Sequence, residues 1–176
     1  MKKKLFIAII FIGVLISGCS DKGNFQFEFD NFYGYFFTEK TFVSDTKLSG
    51  LGYNLLKNEI LKIYKSDSSS GYTDSIIITK KQSNNSLDDF VKEVIKQTKI
   101  KGYKIESTRQ IKINCLGENI DGKTINSKFI GNLNTTYFSH SFLKHNNNIY
   151  IISYSTQDNK ERKTFSSDVK NIKCKK

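Results

Sequence analysis

Apolar and polar residues alternate or repeat with different spacings along the chain, and each spacing predicts an element. Strict alternation at residues 25–29 is typical of a strand with one apolar face, and we expect it to continue raggedly through residues 33–37. Further strands are predicted at 59–66 and at 75–80, where three consecutive isoleucines favour burial on both faces. The first part of the chain is therefore predicted to be mostly β.

One amphipathic helix is predicted after these strands. Its apolar side chains recur every three or four residues: Leu87, Phe90, Val91, Val94 and Ile95. Ser86 precedes Asp89 by three residues, which is close to a capping box, and Gly102 is a natural stop. Because only one side is apolar, we expect this helix to lie against a sheet.

Strands and a last helix are predicted for the rest of the chain. The strands are at 103–106, 110–115, 136–143 and 149–156, and the helix is at 158–173. Asp121-Gly122 is a hairpin signal between Ile120 and Ile125. Two helices and mostly consecutive strands predict the α+β class, an antiparallel β-sheet flanked by helices.

The chain begins with a pattern that belongs to none of these elements. Three lysines, Lys2 to Lys4, precede an unbroken apolar run at 5–16, and the small residues Ser17 and Gly18 follow it. These are the parts of a secretory signal peptide. A helix over this run would be about 18 Å long, whereas a hydrocarbon core is about 30 Å thick, so it is too short to span comfortably.

The residues that end this run resemble the bacterial lipobox: Ile16-Ser17-Gly18-Cys19. The resemblance implies cleavage between Gly18 and Cys19 and a diacylglycerol on the Cys19 sulfur. We expect a protein anchored to the cell membrane or outer membrane on its extracytoplasmic face. The alternatives are an uncleaved anchor helix, or an ordinary signal in which Cys19 has no role. The predicted organisation is a signal peptide at 1–18, a tether at 19–24 and a single α+β domain at 25–176.

Removing the signal leaves a chain that is still basic. The mature residues carry 28 − 3 = 25 basic and 17 acidic side chains, a net charge of +8. The charge is dispersed and nearly all from lysine, with only Arg109 and Arg162 as arginines. No nucleic-acid-binding module is visible, so nucleic acid is not expected as a partner. The charge favours solubility and weak attraction to an anionic membrane or envelope polymer.

Two cysteines remain after Cys19 is assigned to lipid. Outside the cytoplasm, Cys115 and Cys174 are most simply interpreted as a disulfide. The alternatives are two free buried thiols, or a metal site that includes His140 and His145. No two of these four residues show the short paired spacing of metal ligands, so no metal site is predicted.

Catalytic motifs are absent from the sequence. It has no nucleophile elbow, zinc-protease motif, P-loop or EF-hand loop, so we expect no catalytic residue, no cofactor and a protein that is not an enzyme. The alternative is a cell-surface hydrolase or metal-dependent enzyme that uses His140 and His145. The many aromatic residues at 25–42 are expected mainly in the core, although they could line a ligand groove.

Several stretches from Ser75 onward resemble the PsbP-like proteins. The similarity lies in the helix LDDFVKEVIKQ, the strand ending IKINC, the hairpin YFSHSFLKHNNNIYIISYST and the final VKNIKC. The resemblance implies an α/β/α sandwich with a central antiparallel sheet, and a non-enzymatic accessory or binding protein. The expected partner is another envelope protein or a small hydrophobic ligand, engaged through a groove or a sheet face.

Overall fold

The computed structural model describes residues 24–45, 58–66 and 72–175. The predicted signal peptide, the lipobox with Gly18 and Cys19, and the tether before Asn24 therefore lie outside the described residues. Within the described ranges, no helix has the length and apolar character needed to cross a membrane.

The described residues form ten strands, two helices and one 3-10 turn. In chain order they are β1 (Asn24–Phe29), β2 (Phe32–Phe37), β3 (Phe42–Ser44), β4 (Glu59–Ser66), β5 (Ser75–Gln82), α1 (Leu87–Ile100), β6 (Lys104–Cys115), β7 (Glu118–Ile130), β8 (Thr135–His145), β9 (Asn148–Thr156), α2 (Asn159–Asp168), the 3-10 turn (Val169–Asn171) and β10 (Lys173–Cys174).

These strands form two antiparallel sheets. The large sheet has seven strands in the order β3-β4-β5-β9-β8-β7-β6, and the small sheet has three in the order β1-β2-β10. Strands β6 to β9 follow one another as hairpins, while β5 pairs with β9 in the centre of the large sheet. The small sheet joins the first two described strands, β1 and β2, to the last strand, β10.

Both faces of the large sheet are covered, which gives three layers. Helix α1 packs on one face, where Ile149 and Ile151 of β9 belong to its apolar cluster. On the other face, Tyr150, Ile152 and Tyr154 join a larger cluster with the small sheet and α2. Because successive residues of a strand point to opposite faces and both faces are covered, β9 is buried at nearly every position. The predicted α+β class, with an antiparallel sheet flanked by helices, is confirmed.

Helix α1 has the predicted cap. The Ser86 Oγ accepts a hydrogen bond from the backbone N–H of Asp89 at 3.1 Å and donates one to the Asp89 carboxylate at 2.6 Å. Asp88 and Asp89 lie in the first turn, where negative charge favours the helix dipole. The helix ends at Ile100, and Gly102 follows with a positive φ of 82°.

The predicted hairpin at Asp121-Gly122 is wrong. Both residues lie inside β7, and the chain turns earlier at Leu116 and Gly117, which have φ values of 53° and 94°. Gly122 is needed for close packing: an added Cβ would lie 2.7 Å from side-chain carbons of Ile111 and Leu143. A glycine in a strand marks a close approach here, although the dipeptide is typical of a turn.

Three other boundaries differ from the predictions. Residues 25–37 form two strands, β1 and β2, joined by a turn in which Asp30 has a φ of 43°. The two predicted strands at 103–115 are one strand, β6, with a register shift between Ile105 and Ser107. The predicted last helix ends at Asp168, because the chain then changes to the 3-10 turn and β10.

Candidate functional site

Strand β2 divides its side chains between the core and the surface. Being the middle strand of the small sheet, it carries its outward side chains along the centre of that sheet's outer face. The inward residues are Phe32, Gly34 and Phe36, and the outward residues are Tyr33, Tyr35 and Phe37. Phe32 and Phe36 are almost fully buried, whereas Tyr35 is 41% and Phe37 58% exposed. We call Tyr33, Tyr35 and Phe37 the aromatic stripe.

The inward half of this segment is ordinary core. The Phe36 ring lies 5.1 to 5.2 Å from the rings of Phe165 and Tyr154. Gly34 leaves room for the Phe27 ring, since an added Cβ would be 2.6 Å from its Cζ. The expected core role of the aromatic residues therefore holds for these side chains. It does not account for the aromatic stripe, which faces away from the core.

Lysines flank the aromatic stripe on the side of β10. Lys173 pairs with Tyr33 across the strands, and Lys170 lies just before it in the 3-10 turn. Within the part of the chain that the structure describes, neither lysine has a carboxylate at ion-pairing distance. Lys175 differs, because its Nζ lies 2.7 Å from Glu28 and holds the pKa of that carboxyl below its usual range.

A shallow open groove of about 870 Å³ lies beside the aromatic stripe. Tyr33 and Tyr35 form one wall, and the turn between β6 and β7 forms the other with Leu116, which is 66% exposed. Lys170 and Lys173 also line the groove. It combines aromatic surface, one exposed aliphatic side chain and positive charge.

The base of this groove is held by a disulfide. The structure joins Cys115, the last residue of β6, to Cys174 of β10, with their Cα atoms 5.1 Å apart. The two cysteines proposed from the sequence are thus bonded in the structure. Because β10 is only two residues long, the bridge helps keep Lys173 beside Tyr33. The sequence indicates the pair, but not that it lies under a groove.

The two histidines lie on β8 but face opposite layers. His140 is on the α1 side, partly buried and stacked on Phe138, with Nδ1 2.8 Å from the Ser153 Oγ. Burial lowers the pKa of His140 to about 4. His145 lies on the small-sheet side, where its ring meets Phe32 edge-on at 5.6 Å.

This arrangement does not bring the residues of the alternative enzyme site together. Five residues of strand separate His140 from His145 by about 17 Å, and the sheet lies between their side chains. Among residues 24–45, 58–66 and 72–175, no group of three or more His, Cys, Asp or Glu side chains is placed to hold a metal ion. His140 is bonded to a serine hydroxyl, which supplies no negative charge to orient or activate it.

One buried polar cluster was not predicted from the sequence. The Tyr154 hydroxyl donates to Asp74 Oδ2 at 2.9 Å, and Lys40 forms an ion pair with the same carboxylate. Burial and the Asp74 charge raise the pKa of Tyr154. Glu161 lies close by, and burial raises the pKa of its carboxyl. The members come from distant parts of the chain, so no local spacing could have indicated the cluster.

The comparisons with known proteins bear on the fold. No protein-family model matches the chain, and no curated protein matches it. The solved structure of the cyanobacterial PsbP of Synechocystis sp. PCC 6803 (CyanoP) matches with a TM-score of 0.57 and 7% identity, over 89% of this chain and 95% of that one. PA94 of Pseudomonas aeruginosa, a protein of unknown function, matches with a TM-score of 0.47 and 12% identity, over 77% and 83%.

The match to CyanoP extends over nearly the whole of both chains. Together with the antiparallel sheet and its flanking helices, it shows that this chain has a PsbP-like fold. At 7% identity the likeness shows the fold alone. The function therefore has to be argued from the surface of this protein.

Proposed function

We propose that this chain is a lipid-anchored, extracytoplasmic accessory protein of the bacterial envelope, which acts by binding and not by catalysis. The observation that carries the proposal is the aromatic stripe. Phe37 and Tyr35 are 58% and 41% exposed on a strand whose other face buries Phe32 and Phe36 almost completely. Contiguous exposed aromatic surface is unfavourable in water and often marks a binding site.

The anchor is supported by the sequence. The lysines, the apolar run and the lipobox-like Ile16 to Cys19 are what an exported lipoprotein needs, and a diacylglycerol supplies two acyl chains. Two chains give stable membrane attachment, whereas one gives only marginal binding. The protein would then act at the outer surface of a bacterial membrane, where a disulfide such as Cys115–Cys174 persists.

The position of the first strand relates the anchor to the aromatic stripe. Asn24, the first residue of β1, pairs with Phe37. Cys19 is five residues earlier, so a fully extended chain would place it at most about 18 Å from Asn24. The aromatic stripe therefore begins next to the point at which the anchored chain enters the domain.

The candidate partners share one requirement. Another envelope protein, or a small hydrophobic molecule, would have to cover aromatic and aliphatic surface while tolerating lysines at its edge. Tyr35 and the exposed Leu116 supply the apolar contacts, and Lys170 and Lys173 supply the positive rim. The alternative hydrolase or metal-dependent enzyme is not proposed, since His140 and His145 face opposite layers.

Crosslinking in living cells tests this proposal. A photoreactive amino acid replaces Tyr35 on the aromatic stripe, and a matched control replaces Ile100, which is 69% exposed at the end of α1 in the opposite layer. We expect crosslinks to one defined envelope component from position 35, lost when Cys19→Ala removes the anchor, and none from position 100. The same products from both positions would contradict a dedicated binding face.

A further inference from the structure

We infer that the aromatic stripe and its flanking lysines form a membrane-binding face that lies on the anionic phospholipid surface around the lipid anchor. This inference rests on the proposed function, and it names the occupant of the binding face. The three contributing features are the side-chain chemistry, the charge and the position of the face relative to Asn24.

The side chains suit the boundary between water and lipid. Tyr33 and Tyr35 have an apolar ring with a polar tip, and such side chains favour the headgroup level of a membrane. Phe37 and Leu116, 58% and 66% exposed, can enter the acyl boundary without a polar group to desolvate. Lysine stems cover apolar surface while their ammonium groups stay in water, as Lys173 can do beside Tyr33.

The charge of the face is complementary to anionic lipid. Two acids on this side have partners: Glu28 pairs with Lys175, and Asp168 accepts the backbone N–H of Phe37 at 2.9 Å. Lys170 and Lys173 have no carboxylate partner among the described residues. Phosphate groups of anionic lipids would supply partners to these two lysines.

The exposed side of helix α1 lacks an aromatic stripe of this kind. The exposed side of α1 carries acids as well as lysines, and two of these acids form ion pairs: Asp89 lies 3.8 Å from Lys92, and Asp88 lies 2.8 Å from Lys123 of β7. The exposed large apolar residue of helix α1 itself is Ile100, at the helix end. A membrane with anionic lipids would therefore select the small-sheet side over the outer side of helix α1.

Because of the position of Asn24, weak contacts between the aromatic stripe and lipid are sufficient to keep the face on the membrane. Because Asn24 pairs with Phe37, an anchored chain enters the domain at one end of the aromatic stripe. A short tether of this kind gives the face a millimolar effective concentration of lipid. A surface with little affinity of its own then remains docked. The groove also favours a lipid surface over an enclosed small molecule, since it is shallow and open to solvent.

The disulfide contributes by fixing the basic edge. Cys174 lies between Lys173 and Lys175, and its bond to Cys115 holds this short segment against β2. The lysines are therefore presented on the same surface as Tyr33. This gives the bridge a role in presenting a binding face as well as a role in stability.

A single tryptophan can report the orientation, because the chain contains none. The acylated Phe37→Trp protein is placed in vesicles of equal parts phosphatidylcholine and phosphatidylglycerol with brominated acyl chains. We expect a blue-shifted emission that the bromine quenches strongly, whereas the control Ile100→Trp stays solvent-exposed and unquenched. Tyr35→Trp provides the same readout if Phe37→Trp does not fold.

Two matched charge variants test the role of the lysines. Lys170→Ala with Lys173→Ala removes two positive charges from the face, and Lys96→Ala with Lys99→Ala removes two from the exposed side of α1. A lysine near an anionic surface contributes about a fivefold change in binding. Quenching of the tryptophan in the Phe37→Trp background gives the ratio of docked to undocked protein. This ratio should fall about 25-fold when Lys170 and Lys173 are replaced, and it should stay nearly constant when Lys96 and Lys99 are replaced.

The outcomes separate this inference from the proposed function. If acylated protein is in the vesicles but the tryptophan of Phe37→Trp is as exposed as that of Ile100→Trp, the membrane-binding face is wrong and the anchored binding protein remains. Quenching that is equal without phosphatidylglycerol would overturn the role of charge. Protection of the tryptophan in Phe37→Trp only after an envelope protein is added would assign the face to a protein partner. If Cys19 carries no acyl chain, the proposed function itself fails.

Discussion

At the scale of single residues, the surroundings of His140 decide its charge. The imidazole is partly buried against Phe138, and its one described polar partner is the hydroxyl of Ser153. A hydroxyl does not stabilise an imidazolium as a carboxylate would, so desolvation dominates and the pKa falls from 6.5 to about 4. His140 is therefore neutral at the pH of most bacterial surroundings.

This predicts an acid-sensitive contribution to stability. The unfolded chain protonates His140 below pH 6.5, whereas the folded protein resists protonation until about pH 4. Stability should therefore fall as pH decreases through that window, with a slope of up to about 1.4 kcal/mol per pH unit from this group. Urea unfolding at several pH values measures the slope. His140→Asn, which can retain a bond to Ser153, should reduce it, and an unchanged slope would contradict the assignment.

Glu161 should affect stability in the opposite direction to His140, because its penalty is present at neutral pH and disappears in acid. Burial raises the pKa of its carboxyl, with further contributions from Asp158 and Asp74, and Oε2 is buried without a partner in the described part of the chain. Its ionised form is therefore disfavoured in the folded protein. Above its unfolded pKa, near 4.5, this group lowers stability, and the penalty disappears as both states become protonated at lower pH.

Glu161→Gln should accordingly stabilise the protein at pH 7 by about 1 kcal/mol, with no gain remaining at about pH 4. The measurement is the denaturant midpoint of the variant and the parent at both pH values. Glu93→Gln on the exposed side of α1 is the control, and its change should stay within about 0.5 kcal/mol. A destabilised Glu161→Gln at neutral pH would show that the carboxylate is needed where it lies.

At the scale of elements, the features found from the sequence are the local ones. Helix α1 combines a cap at Ser86 with a regular apolar face, and the β8–β9 hairpin combines two periodic strands with a short polar connection. Each of these signals lies within one short stretch of the chain. This is why the class, the helix and the hairpin could be predicted.

The small sheet could not be predicted in this way. Strand β10 is two residues long, and its pairing with β2 joins Cys174 to Phe32 across most of the chain. Alternation predicted a strand at 25–29, but nothing local showed which partner would cover each face. The aromatic stripe is outward because β2 pairs with β1, and at Tyr33 also with β10, while Phe36 faces the core. The candidate site is thus a product of long-range pairing.

The disulfide secures the pairing of β10 with β2. Removing it with Cys115→Ala and Cys174→Ala frees a loop of 59 residues, which in the chain-entropy model lowers the free energy of unfolding by about 4 kcal/mol. We expect a lower denaturant midpoint and faster hydrogen exchange, with the largest local increase in β10 and the adjoining part of β2. A mass that does not change on reduction and alkylation of the parent protein would contradict the bridge.

At the scale of the whole molecule, the three layers present different surfaces. Helix α1 carries charges of both signs and covers one face of the large sheet. The small sheet covers the other face with its phenylalanines and presents the aromatic stripe outward. The likeness to CyanoP at 7% identity concerns the fold alone, and a shared fold does not fix a function. Binding specificity would then be located on these outer faces.

The anchored location underlies both proposals, and it depends on Cys19. In both proposals, export would place the protein where the disulfide can form, and acylation would place the aromatic stripe beside lipid. The mass and sequence of the N-terminal peptide of protein purified from cells test this location most directly. Our account predicts that the peptide begins at Cys19 and carries a diacylglycerol on its sulfur. A peptide that begins elsewhere, or an unmodified Cys19, would contradict it.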